Sequence, residues 1–141
     1  MANLPTSIQL RIVSADRSLV NEQVDEVEIP GSDGYFGVLP GHTPLLALLG
    51  AGELWYRQGQ EKHYLLIAFG FAEVQPDQVT ILAEVAERPH EIDVTRAEAA
   101  RRRAEERLAK PVIDMDAERA RISLLKSLIR LQVASRARIR S

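Results

Sequence analysis

His42, His63 and His90 are the only imidazoles in this 141-residue sequence, and it has no cysteine. His42 follows Pro40-Gly41 in a turn, His63 falls near the edge of a strand, and His90 precedes a helix. None has a carboxylate or a second histidine at the spacing of a general acid–base pair or a metal site. The missing cysteines remove thiolate catalysis, disulfides and cysteine metal sites together, and no Gly-x-x-x-x-Gly-Lys segment is present to cradle a phosphate. The sequence therefore argues against a stand-alone enzyme. Its remaining chemistry is cationic. Arg96, Arg103 and Arg107 recur on one side of a helical pattern, and Arg119, Lys126 and Arg130 on one side of a second. Guanidinium forks and an ammonium on two facing helices can hold an anion such as phosphate; a solvated face that keeps the helices soluble is the alternative. Nucleic acid is a poorer fit. Glu98, Glu105 and Glu106 interleave with Arg101-Arg102-Arg103, and no aromatic residue follows Phe71 to stack on bases.

The elements that would carry these residues differ between the two parts of the chain. Residues 1–87 hold 4 Lys/Arg against 12 Asp/Glu, and residues 88–141 hold 14 against 8, so a net charge of −2 conceals an acidic front and a basic tail. In the front part Ile8, Leu10 and Ile12 alternate with Gln9 and Arg11, and Val27 and Ile29 with Glu26 and Glu28; a period of two is that of a half-buried strand. Further runs at Leu54–Arg57, Tyr64–Phe69 and Val79–Ala83 are separated by turn residues at Pro30-Gly31, Pro40-Gly41, Gln58-Gly59 and Pro76-Asp77. The spacing predicts an antiparallel β-sandwich or flattened barrel over residues 1–87, with Tyr64–Phe69 covered on both faces.

After Pro89 the pattern becomes helical. Asp93, or Thr95 with Glu98 as a capping box, can start a first helix that runs to about Ala109. Pro111 interrupts, Asp114 or Asp116 can cap again, and a second helix runs to about Ala137. A short break between two helices predicts an antiparallel hairpin over residues 88–141. Val94, Ala97, Ala100, Ala104 and Leu108 make a narrow small-residue seam of roughly 120°. On the second helix Ala120, Leu124, Leu128 and Leu131, widened by Ile122, Leu125, Ile129 and Val133, cover roughly 220°, more than one partner helix can bury. No run approaches the apolar length needed to cross a membrane, and no secretory or transit segment opens the sequence.

The run Asp33-Gly34-Tyr35-Phe36-Gly37-Val38-Leu39-Pro40-Gly41-His42-Thr43-Pro44-Leu45-Leu46, placed after an opening strand Ile8–Ser14, resembles the signature loop of the epsilon subunits of bacterial F-type ATP synthases. Ile92-Asp93-Val94-Thr95-Arg96-Ala97 resembles that family's Ile/Leu-Asp-x-x-Arg-Ala motif, with Ala100 and Arg103 in register. The likeness extends over nearly the whole chain. It implies a non-catalytic rotor subunit that couples proton flow to ATP synthesis. Its sandwich would grip the gamma subunit of the central stalk, and Gly31, Ser32, Asp33, Gly34, Tyr35, Phe36, Gly37 and His42 would form the interface with the c-ring and stalk. The extended hairpin would approach the alpha and beta subunits of the catalytic head and impede ATP hydrolysis.

The resemblance also implies no required cofactor, but ATP as a regulatory ligand at Ile92, Asp93, Arg96, Ala97, Ala100, Arg103, Lys126 and Arg130. Lys126 stands where nucleotide-binding members tend to have Arg, so a point charge replaces a planar fork. The implied location is peripheral, at the cytoplasmic side of a bacterial inner membrane. The competing expectation is a generic β-sandwich adaptor with a basic helical arm.

Overall fold

The computed structural model describes residues 4–110 and 115–140. Seven strands come first: β1 (Ile8–Ser14), β2 (Ser18–Val24), β3 (Glu26–Gly31), β4 (Gly34–Val38), β5 (Leu45–Gln58), β6 (Glu61–Gln75) and β7 (Gln78–Glu87). A 3₁₀ turn at Pro89–Glu91 follows, then α1 (Val94–Ala109) and α2 (Met115–Arg140). The chain divides into two compact units, residues 1–87 and 88–141.

The strands form one hydrogen-bonded sheet in the order β2-β1-β7-β6-β5-β3-β4, which wraps into a sandwich. Its pairs are antiparallel except β1–β7, which is parallel. The antiparallel sandwich expected from the strand spacing is present, with this one parallel pair inside it. The opening strand returns beside the last one, and the intervening strands supply the long crossover that a parallel pair needs. Ile8, Leu10 and Ile12 are fully buried, as their alternation requires. Removing each from water stabilises the fold by about 1.5–3 kcal/mol.

A single sheet becomes two layers because its three longest strands change phase at one level. The core residues of β5 are Leu49, then Leu54 and Tyr56; those of β6 are Leu65 and Ile67, then Ala72 and Val74; those of β7 are Val79, Ile81 and Ala83, then Ala86. Each switch from odd to even positions, or the reverse, sends later side chains to the other face. In β6 the switch lies at Phe69 (φ 63°) and Gly70 (φ 116°), where the backbone bends out of the extended region. Leu66 and Ala68 are also fully buried, so this stretch of β6 is covered on both faces, in agreement with its continuous apolar run. Across the layers the Tyr56 hydroxyl of β5 donates to Glu22 of β2 at 3.4 Å.

In the second unit α1 and α2 pack on each other. With only residues 110–114 between them, two helices that pack on each other make the expected antiparallel hairpin. Asp93 caps α1, its Oδ1 accepting from the Arg96 N–H at 3.0 Å; Thr95 lies inside the first turn. Of the two caps expected of α2, Asp114 lies outside the described residues, and Asp116 lies inside the helix, which starts at Met115, and so is not its cap. Ala97 and Ala104 are the buried positions of α1, and Val94, Ala100 and Leu108 are half-buried beside them.

The seam of α2 differs from the expected leucine stripe. Ala120, Ser127 and Ala134 are buried two turns apart, while Leu128 is 46% exposed. Ser127 can occupy a buried position because its hydroxyl donates to the Ser123 carbonyl oxygen at 2.8 Å. Ile129 and Val133 are buried on another arc of the same helix, whereas Ile122 and Leu125 are exposed.

Candidate functional site

Two groups of residues were singled out by sequence, and each lies within one unit. The first surrounds the β3–β4 turn. β3 and β4 pair from Val27↔Val38 to Gly31↔Gly34, leaving Ser32 and Asp33 as a two-residue tip. Gly34 has φ 130°, which a side chain would oppose, so the tight reversal depends on glycine there. Ser32, Asp33, Gly34, Tyr35 and Gly37 are exposed, Gly31 is half-buried, and Phe36 packs against the core.

The strip Gly31–Phe36 faces Leu45–Leu48 of β5 across an open cleft of about 570 Å³. Gly37 and His42 do not line this cleft. His42 follows the Pro40-Gly41 turn, its N–H donating to the Leu39 carbonyl at 3.2 Å and its Nδ1 lying 2.6 Å from the Thr43 carbonyl oxygen. The Gly41 N–H donates to the Pro76 carbonyl at 2.7 Å, which fastens that turn to the β6–β7 turn.

Close packing at the cleft comes from glycines that sequence reading passed over. β3 pairs with β5 at Glu28↔Trp55 and next at Gly31↔Leu49, so β5 bulges over residues 50–54. A Cβ on Gly50 would lie 3.0 Å from the Gly31 carbonyl oxygen. On Gly52 it would collide with the Tyr35 hydroxyl and lie 2.7 Å from the Pro30 Cβ. Across the bulge the Tyr35 hydroxyl accepts a hydrogen bond from the Glu53 N–H at 3.0 Å. Glu53 is buried, and an amide left unbonded there would cost about 1–3 kcal/mol. The spacing Gly50-Ala51-Gly52 inside an apolar run was the available signal.

The phase switch also makes a surface that sequence reading missed. Leu48 of β5 is registered with Phe71 of β6, Phe71 with Leu82 of β7, and Leu82 with Val13 of β1. Leu48, Phe71 and Leu82 are 57%, 50% and 53% exposed. A row of large apolar side chains across adjacent strands is a surface that a partner can cover.

The second group lies on the hairpin. Ile92 is buried just before the Asp93 cap, and Ala97 is in the seam with Ala100 at its margin. Arg96 and Arg103 are exposed, each immediately before a buried seam alanine, Ala97 or Ala104, so both lie along one flank of α1. Lys126 and Arg130 are half-buried on α2, beside Ser127 and Ile129. The fold thus aligns Arg96 with Arg103 and Lys126 with Arg130 on their own helices. Elsewhere on the helices Arg101 pairs with Glu105 at 3.6 Å and Arg121 with Glu118 at 3.6 Å. Among the described residues no helix is long and apolar enough to cross a membrane.

Residues 7–89 match the β-sandwich domain of the ATP synthase Delta/Epsilon chain, and residues 90–135 match the long alpha-helix domain of the same chain. The ATP synthase epsilon chain of Syntrophobacter fumaroxidans is 50% identical over 92% of this chain and 96% of its own. That of Solibacter usitatus is 42% identical over 94% and 99%. Among solved structures, a chain of the Euglena gracilis mitochondrial ATP synthase assembly of OSCP, F1 and c-ring superposes with a TM-score of 0.72 at 25% identity, over 99% of this chain and 84% of that one. A chain of the Tetrahymena thermophila central stalk and c-ring shares the fold, with a TM-score of 0.56 at 13% identity over 96% and 98%.

Proposed function

Because this chain belongs to the ATP synthase Delta/Epsilon chain family, as a non-catalytic epsilon chain of the F-type enzyme, we propose how its two units divide the work of a central-stalk subunit. The sandwich grips the gamma subunit through the exposed row Leu48–Phe71–Leu82 and presents the Ser32–Asp33 tip to the c-ring. His42, on the neighbouring turn, stands at the edge of that interface. The chain then turns with the rotor and is attached peripherally, through the complex, to the cytoplasmic side of a bacterial inner membrane. The observation that carries this reading is the apolar row itself: three large side chains left half in water on a unit whose core is otherwise well buried. Immobilised chain should capture purified gamma subunit, and Phe71→Ser should weaken capture at least about tenfold, the scale of one lost buried aromatic. Capture unaffected by Phe71→Ser and Leu48→Ser would remove the row from the interface.

The hairpin supplies regulation. The exposed Ile122, Leu125 and Leu128 give α2 apolar surface beyond what the hairpin buries, so α2 can exchange one burial partner for another at little net cost in free energy. Extended, its basic side chains approach acidic segments of the alpha and beta subunits and impede ATP hydrolysis. ATP held by Arg96, Arg103, Lys126 and Arg130, with Ile92, Asp93, Ala97 and Ala100 shaping the site, favours the closed form. At a concentration near its dissociation constant it shifts the balance by about 0.4 kcal/mol. Arg103→Ala and Arg130→Ala should each weaken ATP binding measured by calorimetry; an unchanged affinity in both would displace the site.

A further inference from the structure

We propose that Tyr35 is a positioning residue whose hydroxyl fixes the pitch of the β3–β4 tip across β5. The inference rests on the reading above, in which the tip meets the c-ring. Beyond the Gly31↔Leu49 pair, two hydrogen bonds attach the tip to β5, one just before the bulge and one within it. The Ser32 N–H donates to the Leu48 carbonyl oxygen at 2.9 Å, and the Glu53 N–H donates to the Tyr35 hydroxyl at 3.0 Å. Between Leu49 and Trp55 β3 and β5 have no paired residues, because the register jumps from Glu28↔Trp55 to Gly31↔Leu49. Without the Tyr35 bond the tip is held only at the Leu48–Leu49 end of β5 and can pivot there; with it, the tip is held at two separated points.

Tyr35 reaches its partner only because residue 52 is glycine, and the ring lies where a Cβ would stand. The residue is 55% exposed, so its ring adds little to the core. Its contribution is the acceptor that an absent ladder carbonyl would have supplied. Ser32 and Asp33 are the exposed residues at the tip, and their placement toward any partner is set by this second attachment.

The test compares the full chain with Tyr35→Phe, which keeps the ring and removes the acceptor, and with Gly52→Ala, which displaces the ring and keeps the hydroxyl. Native-state amide exchange should rise about tenfold or more at Glu53 and at the tip in Tyr35→Phe, the scale of one lost hydrogen bond. Exchange at Ala72 and Val79, in the opposite part of the sheet, should stay unchanged. Binding of the chain–gamma complex to detergent-solubilised c-ring should fall at least about threefold, with capture of gamma unaltered. A merely structural role would raise exchange across β6 and β7 as well. Unchanged exchange at Glu53 in Tyr35→Phe overturns the proposal, and so does raised exchange with undiminished ring binding. If the unaltered chain does not bind the ring, the docking assignment falls, and exchange at Glu53 and the tip alone decides whether Tyr35 holds them.

Discussion

At Gly70 a Cβ would run into the Leu82 carbonyl oxygen and lie 3.0 Å from the Leu82 carbonyl carbon, in a backbone with φ 116°. Both the strained dihedral and the clash oppose any side chain at the point where β6 changes phase. Gly70→Ala should therefore lose about 2–5 kcal/mol in chemical denaturation; a loss under about 1 kcal/mol would mean the bend relaxes easily. Asp93→Ala should remove the α1 cap and lower stability by about 1 kcal/mol, a change visible in the thermal melt of the hairpin. The Asp93 cap was legible in the sequence because capping is local chemistry within four residues. The Tyr35–Glu53 bond was not, since 18 residues separate the partners and only the β5 bulge brings them together. Ser127 was passed over for a similar reason: a serine reads as polar until its hydroxyl is seen bonded to the preceding turn.

Among the elements, β1, β3, the end of β5, the middle of β6 and the first half of β7 announced themselves by period-two alternation or apolar runs. β2 and β4 did not. In β2 the buried residues are Leu19, Val20 and Val24, separated by Asn21-Glu22-Gln23, which follows no simple period. β4 carries two glycines in five residues and is mostly exposed. Both are edge strands of the sheet, where one side of the ladder is open and the sequence is less constrained. The alanine seam of α1 was readable because close helix approach demands small side chains. Ala104→Leu should overpack it and lower hairpin stability by about 1–3 kcal/mol, read from helical signal during denaturation. Leu125→Gln should leave that stability within about 0.5 kcal/mol, because Leu125 is already exposed. If α2 extends as proposed, the same substitution should change inhibition of hydrolysis in the assembled enzyme, because Leu125 is part of its exposed apolar surface.

For the whole molecule, the charge division between residues 1–87 and 88–141 coincides with the division into two compact units. An acidic sandwich and a basic hairpin are suited to different surroundings, and each has its own buried interior. The wrapping of one sheet into two layers was beyond sequence reading, and so was the parallel β1–β7 pair, because topology depends on which strands meet rather than on the pattern within each. The central claim is that residues 1–87 anchor the chain to the rotor and residues 88–141 regulate it. The most direct measurement replaces the full chain by residues 1–87 in the reconstituted enzyme and records both assembly and ATP hydrolysis. Intact assembly with raised hydrolysis is the expected result. Loss of the truncated chain from the complex, or hydrolysis no different from that with the full chain, would contradict it.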